Sequence, residues 1–441
     1  MKQLLIYGLI TFGLIAGAGC KLDYVNPNGP TDTQITTTPE GMFTLSIGIK
    51  QYYSAVALES FVISPGTTSR EIKGITTFTN VLEIEAGGTN LPTFNGNVLQ
   101  LWLRMLKTMG MAEDVINNAS AAFGADAASI SGCIAHANLF KAMSIGGLAS
   151  AFEQFPTTTD KSGAATFVPR LQALQTAVSL LDDAAARLAT TPPSAEFNTR
   201  VLGTDFKLLD CINAYRARYN MMLGKYPEAL AAANLVSVTS KSQFLYNTQS
   251  PNPIYQALVV RIDYKPRDNF GLPAGIFEPG DGRLAFYLTT PNTVLGGETL
   301  KTIKGFFDGI ATPIPVYLPD EIRLLKAEAI IRSNGNLANA VTEINAVRTQ
   351  ATGDPFGVNA NLPAYSGPVT STDLLLEVYR QRCAEMFLGG LRLEDSRRFG
   401  RPAPPTNLNP VPITFERSRN FYPYPDQERL TNTNTPNDPA I

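Results

Sequence analysis

An all-α scaffold of antiparallel helical hairpins, bearing long irregular loops and minor β structure, is the fold class this sequence predicts. Three observations lead there. Past residue 39 most segments repeat apolar residues every three or four positions, the period of a helix with one buried stripe. Two segments break at a glycine-containing turn and then resume the same period, as a pair of antiparallel helices does. Between the helical segments, residues 62–97, 238–312 and 351–370 lose the period and carry Gly, Pro, Asn and Thr.

Each element follows from its own residues. Residues 39–59 read as a first helix through Met42, Leu45, Ile49, Tyr53 and Val56. Leu99–Asn118 repeats Leu101, Trp102, Met105, Leu106, Met109 and Val115; Ser129–Phe155 is closed by Pro156; Leu171–Leu188 is an Ala-rich helix. Leu208–Ala233 reads LLDCINAYRARYNMMLGKYPEALAAA, with a turn at Gly224 and small residues Ala217 and Ala229 on either side. That spacing resembles the tetratricopeptide unit, in which small residues let two helices pack closely. Glu321–Val347 repeats it, with Gly335 followed five residues later by Ala340. Short runs at Ala257–Ile262 and Leu284–Leu288 suggest small strands. Repeats are thus expected at about 99–236 and 319–350, within a single domain spanning 39–441.

The N-terminus reads as an address. Lys2 precedes an apolar run from Leu4 to Ile15, then small residues Gly17, Ala18 and Gly19, then Cys20. This is a secretory layout, too short and wrongly flanked for a transmembrane span. It resembles a bacterial lipoprotein signal, residues 1–19, whose cysteine becomes the lipidated first residue; Gly17 departs from the Leu usual there. Residues 20–38 follow as a lipidated start and tether, broken by Pro27, Gly29 and Pro30. Loss of the signal removes Lys2, so 36 basic residues become 35 against 38 acidic ones, and the charge moves from −2 to −3.

Composition excludes several classes. No basic block exists for a nucleic acid. A single histidine, His136, and the absence of CxxC or HExxH patterns leave no metal-site motif, and no cofactor is called for. With Cys20 used for lipid, Cys133, Cys211 and Cys383 are an odd number on apolar helical patterns, expected to be buried free thiols. His136, among Ala135, Ala137, Leu139 and Phe140, is expected to be a satisfied core histidine rather than a base. Glu83 with Glu85, on one face of a possible strand, and Glu394 with Asp395 are the carboxylate pairs a glycosidase would need. Asp395, surrounded by Arg392, Arg397 and Arg398, reads instead as part of an ion-pair network. No catalytic residue is assigned, and the protein is expected not to be an enzyme.

Ordered blocks then point to a family. Leu324–Ala329 with Gly335, Ala340, Ile344, Asn345 and Arg348 form one block. Arg382, Glu385, Gly390, Arg392, Asp395 and Arg398 form a second; Pro423–Glu428 with Asn432, Asp281–Leu284 and Leu22–Thr31 complete the order. Together they resemble the SusD/RagB family of outer-membrane nutrient-binding lipoproteins. Two positions depart from its pattern: Gln381 and Gly389 stand where Glu is usual, so one supporting carboxylate pair is expected to be missing. The resemblance implies a tetratricopeptide-like scaffold with ligand-binding loops, a cell-surface position anchored to the outer membrane through Cys20, and a SusC-like TonB-dependent barrel as partner. It also implies an oligosaccharide cargo, with peptide as an alternative; a structural adaptor in envelope assembly is the reading from another class. Aromatic faces stack on sugar C–H faces while amides and ions bind hydroxyls. The loops that mix such groups supply the candidate ligand residues: Arg70, Phe78, Asn80, Phe94 and Asn95 in one, and Tyr264, Arg267, Asp268, Asn269 and Phe270 in the other. Trp102, the only tryptophan, lies on a helical stripe and is expected in the core.

Overall fold

Thr38 starts the first helix: its Oγ1 accepts the Gly41 N–H at 3.1 Å, and Pro39 needs no donor at the first turn. A computed structural model describes residues 35–160 and 162–441, so the signal segment and Cys20 lie outside the described residues. Helix α1 (Pro39–Tyr52) passes through one wide π turn, Tyr53–Ala57, into α2 (Leu58–Thr68). The helix expected to end near residue 59 therefore continues through Pro65, because every residue of α2 except Glu59 is buried and packing overrides the local breaker. Beyond it the expected irregular stretch holds β1 (Ile72–Gly74) and α3 (Thr79–Ala86). Only Val81 and Ile84 of α3 are buried, too short a stripe to read as a period.

The long hairpins follow. These are α4 (Gly96–Phe123), α5 (Ala127–Ala151), then α6 (Arg170–Thr190) after the small pair β2 (Gln154–Phe155) and β3 (Val168–Pro169). Helices α7 (Leu208–Met222) and α8 (Tyr226–Ala233) turn at Gly224, whose φ of 74° suits glycine. Each helix of this array packs on the next, and α8 packs in turn on the first helix of the second hairpin, Pro319–Arg332. Close approach of α5 to α7 depends on Gly146: a β-carbon there would lie 2.1 Å from the Tyr219 hydroxyl.

The stretch 238–312 is more ordered than its sequence suggests. It holds β4 (Gln243–Phe244), β5 (Tyr264–Pro266), α9 (Gly282–Tyr287), and the hairpin of β6 (Leu288–Leu295) and β7 (Glu298–Ile303). Leu284–Leu288, read as a strand, is mostly helix, because the Asp281 carboxylate accepts the Arg283 N–H at 3.0 Å and starts α9. Ala257–Ile262 is likewise not a strand but a π turn over Gln256–Val260 and the residues after it. The strands pair antiparallel as β1–β5, β2–β3, β6–β7, and β4 with β8 (Ile314–Pro315).

Helices α10 (Pro319–Arg332) and α11 (Leu337–Arg348) form the second predicted hairpin. Its left-handed residue is Asn334, with a φ of 55°, rather than Gly335. Helices α12 (Ser371–Glu385), α13 (Arg392–Arg398) and α14 (Asp426–Thr431) complete the chain. The architecture is all-α with minor strand, as the period predicts. One apolar cluster runs from Met42 to Tyr424 and joins the helical array to the loop-rich half. Trp102 is fully buried in it against Phe152 and Phe167, with its Nε1–H donated to Glu428 at 3.0 Å. Cys133, Cys211 and Cys383 are free and buried, and burial pushes each thiol up to about 12.

Candidate functional site

Short helix α3 divides the candidate ligand surface into two recesses. On one side, α2, α4 and residues 261–264 enclose an open cleft of about 700 Å³ lined by Glu59, Phe78, Asn80, Asn97, Gln100, Arg104, Arg261, Asp263 and Tyr264. Its floor is an amide and phenol chain. Asn80 donates to the Asn97 side-chain oxygen at 2.8 Å, and Asn97 donates to the Tyr264 hydroxyl at 3.1 Å. Burial, with the Asp263 carboxylate nearby, raises the Tyr264 hydroxyl above its ordinary value, so it stays a neutral hydrogen-bonding group.

The cleft wall is a ladder of alternating charge. Arg261 donates Nε–H to Asp263 at 3.2 Å and Nη2–H to Glu59; the second Glu59 oxygen lies 3.8 Å from Arg104. Arg104 also donates to the Ser60 hydroxyl at 2.9 Å and to Gln100 at 3.2 Å. Phe78 projects at the rim with 58% of its surface exposed.

The second recess, about 1090 Å³ of open space, lies between α3, the β6–β7 tip and residues 410–413. Its wall is mostly apolar, with Ile75, Leu82, Leu295 and Ile413, over a floor of paired ions. Lys73 contacts Glu85 at 3.0 Å and Glu298 at 2.6 Å, and Arg267 contacts the same two carboxylates at 2.8 and 2.5 Å.

The residues singled out from sequence divide by what else they hold. Phe78, Asn80 and Tyr264 come together in the cleft, and Phe94, outside its lining, is 70% exposed. Asn95 is the N-cap of α4, accepting the Asn97 and Val98 N–H groups at 3.0 and 3.2 Å. Arg70 is buried, and its guanidinium donates to the carbonyls of Glu85, Val411, Pro412 and Phe415. Arg267 also donates to the Ile72 carbonyl, while Asp268 pairs with Lys301 at 3.4 Å. Asn269 and Phe270 form a tight turn with φ of 53° and 59°, and Phe270 has no exposed surface to offer a ligand. Sequence reasoning missed Glu59, Asn97, Gln100, Arg104, Arg261 and Asp263. Their positions on helical faces or at an element's end look like ordinary solvated polarity, and no local signal sets them apart.

The other titratable candidates are structural. Glu83 and Glu85 lie on α3, not on a strand; Glu83 accepts from Asn95 at 2.8 Å and Glu85 is committed to Lys73, Arg267 and the Gly74 N–H. Asp395 accepts from Arg382 at 2.8 Å and from Arg398 at 2.6 Å, whereas Arg397 pairs with Glu394 and Arg392 binds the Cys383 carbonyl. His136 is buried but not satisfied: neither ring nitrogen has a hydrogen-bond partner among the described residues.

Residues 320–439 match a family model described as the SusD family. The resemblance drawn from the ordered motifs is thereby borne out. The whole described fold is also similar to solved SusD-type structures. A SusD superfamily protein from Bacteroides thetaiotaomicron superposes with a TM-score of 0.71 at 15% identity, over 91% of this chain and 100% of that one. A SusD-like carbohydrate binding protein from Bacteroides fragilis gives 0.65 at 15% identity, over 91% and 99%. A SusD/RagB family protein from B. thetaiotaomicron gives 0.64 at 17% identity, over 89% and 94%. At these identities the likeness establishes a common fold. Among curated proteins none matches the chain.

Within the SusD block the two departures are accommodated. Gln381 accepts from Arg283 at 2.5 Å and donates to Glu377 at 2.8 Å, and Arg283 keeps two carboxylates, Asp281 at 2.6 Å and Glu385 at 3.2 Å. Gly389 sits in the tight turn after α12, where a β-carbon would press to 3.0 Å on the Met386 carbonyl.

Proposed function

We propose that this chain is a cell-surface lipoprotein, anchored through Cys20, that captures a saccharide and delivers it to a SusC-like TonB-dependent barrel. The observation that carries the binding part is the cleft beside α3. It combines an exposed aromatic face at Phe78 with a dense set of amide, phenol, carboxylate and guanidinium groups, the composition that hydroxyl-rich ligands require. The carbohydrate-binding name of the similar B. fragilis structure supports the same ligand class. Phe78, Asn80 and Tyr264 are the contacts we assign from the sequence candidates, with Phe94 as an outlying platform. Delivery rests on the family resemblance and works only if the ligand's affinity differs between open and closed states of the lid.

Calorimetry with a panel of oligosaccharides and peptides tests the reading. A saccharide is expected to bind, and Phe78→Ala to weaken it by about 1–2 kcal/mol, the order of a lost aromatic contact. Binding confined to peptides, or no binding from any class, would exclude it.

A further inference from the structure

The charged groups lining the cleft beside α3 are two guanidinia, Arg104 and Arg261, and two carboxylates, Glu59 and Asp263. Glu59 is the hinge of this set. One of its oxygens accepts from Arg261, and the other faces Arg104 at 3.8 Å, so a single carboxylate lies between both cations. Arg261 spends its Nε–H on Asp263 at 3.2 Å, and Arg104 spends further donors on Ser60 and the Val56 carbonyl. A carboxylate or sulfate entering here would meet cations that are already neutralised, and it would lie against Glu59 and Asp263. Like-charge contact of that kind is the usual way a site rejects a wrong ligand. A sugar hydroxyl carries both a donor and two acceptor lone pairs. It can therefore accept from a guanidinium and donate to the carboxylate beside it without breaking the pair.

We infer that the cleft selects uncharged saccharides over uronic-acid or sulfated ones, and that Glu59 is the residue that sets this choice. The inference rests on the saccharide-binding reading above and narrows it to a chemical class. A free anion would not gain from such paired ions, whereas adjacent hydroxyls on a pyranose ring present the matching pattern.

The test uses the full mature chain and matched probes: malto-, cello-, xylo- and manno-oligosaccharides as neutral ligands, oligogalacturonate and a sulfated oligosaccharide as acidic ones. The wild type is expected to bind within the neutral set, with affinity changing by less than about twofold between low and high salt, because no net charge is released. Glu59→Gln leaves two guanidinia against one carboxylate. It should weaken the neutral ligand and raise binding of oligogalacturonate at low salt by about tenfold or more, a gain that high salt abolishes. Arg261→Gln, at a side chain 43% exposed, should shift selectivity the other way and provides the check should the Glu59 variant fail to fold. A wild type that prefers an acidic probe, or a Glu59→Gln protein that folds without gaining one, overturns the charge inference while leaving saccharide binding standing. A wild type that binds no saccharide of either kind overturns both.

Discussion

His136 lies among Phe140, Phe197 and Phe206, with both ring nitrogens unpaired among the described residues. Burial first, and the nearby Lys50 charge second, hold its pKa well below the ordinary value, so the folded imidazole is neutral. The unfolded chain takes up a proton at about pH 6.5 and the folded one does not. Its contribution is therefore complete above that pH and declines as pH falls through it, by up to about 1.4 kcal/mol per unit. A buried carboxylate group acts in the opposite sense. Burial, with Asp354 alongside, pushes Asp320 up to about 7, so folded Asp320 holds a proton that the unfolded chain releases near pH 4, and this contribution is lost as pH rises from about 4 to 7. Replacing His136 with Leu separates the two. As pH is lowered from 7 to 5, the urea midpoint of the variant should rise relative to that of the wild type, because only the wild type bears the histidine's cost; parallel curves would mean the histidine is protonated in the fold.

Among the elements, the hairpins were the most legible part of the sequence. Gly224 could be assigned because only a residue tolerating positive φ closes α7 onto α8, and the apolar stripes of α4 and α6 are long enough to read. Element ends were less legible: α2 runs through Pro65 because every one of its residues except Glu59 is buried, which no local rule registers. What ties one hairpin to the other is also invisible locally. Arg218 on α7 donates two bonds to Glu321 on α10, at 2.8 and 2.7 Å, and both side chains are buried. A buried pair of this kind resists loss of one partner far more than replacement of both. Glu321→Ala should cost about 3–5 kcal/mol by leaving Arg218 uncompensated, whereas Arg218→Met with Glu321→Met should recover most of it. Equal losses in the single and double variants, by chemical denaturation, would show that the pair is not what joins the hairpins.

At the scale of the molecule, the described core is assembled from Met42 through Tyr424, and no described helix is long and apolar enough to cross a membrane. The attachment proposed above is through a lipidated Cys20, where acyl chains contribute about 0.8 kcal/mol per buried CH₂. Cys20→Ala should move the protein from the membrane fraction to the soluble one with its thermal midpoint unchanged. Retention of the variant in the membrane would remove the lipid anchor from the proposal.

The sequence by itself determined the all-α class, the two hairpins with their tight turns, the core place of Trp102 and the three buried thiols. These depend on periodicity and on the intrinsic limits of glycine and proline, which are local. It also carried the ordered motifs of the family block. Only the tertiary structure decided which polar residues remain available to a ligand. Arg70 and Phe78 lie eight positions apart in one loop, yet Arg70 is consumed by carbonyls as distant as Phe415, 345 residues along the chain, while Phe78 stays in solvent. Likewise Glu59, Arg104 and Arg261 become one charge-balanced wall only when three separate segments meet. A side chain's free hydrogen-bonding capacity is what its neighbours leave unused, and those neighbours are set by the fold rather than by adjacent sequence.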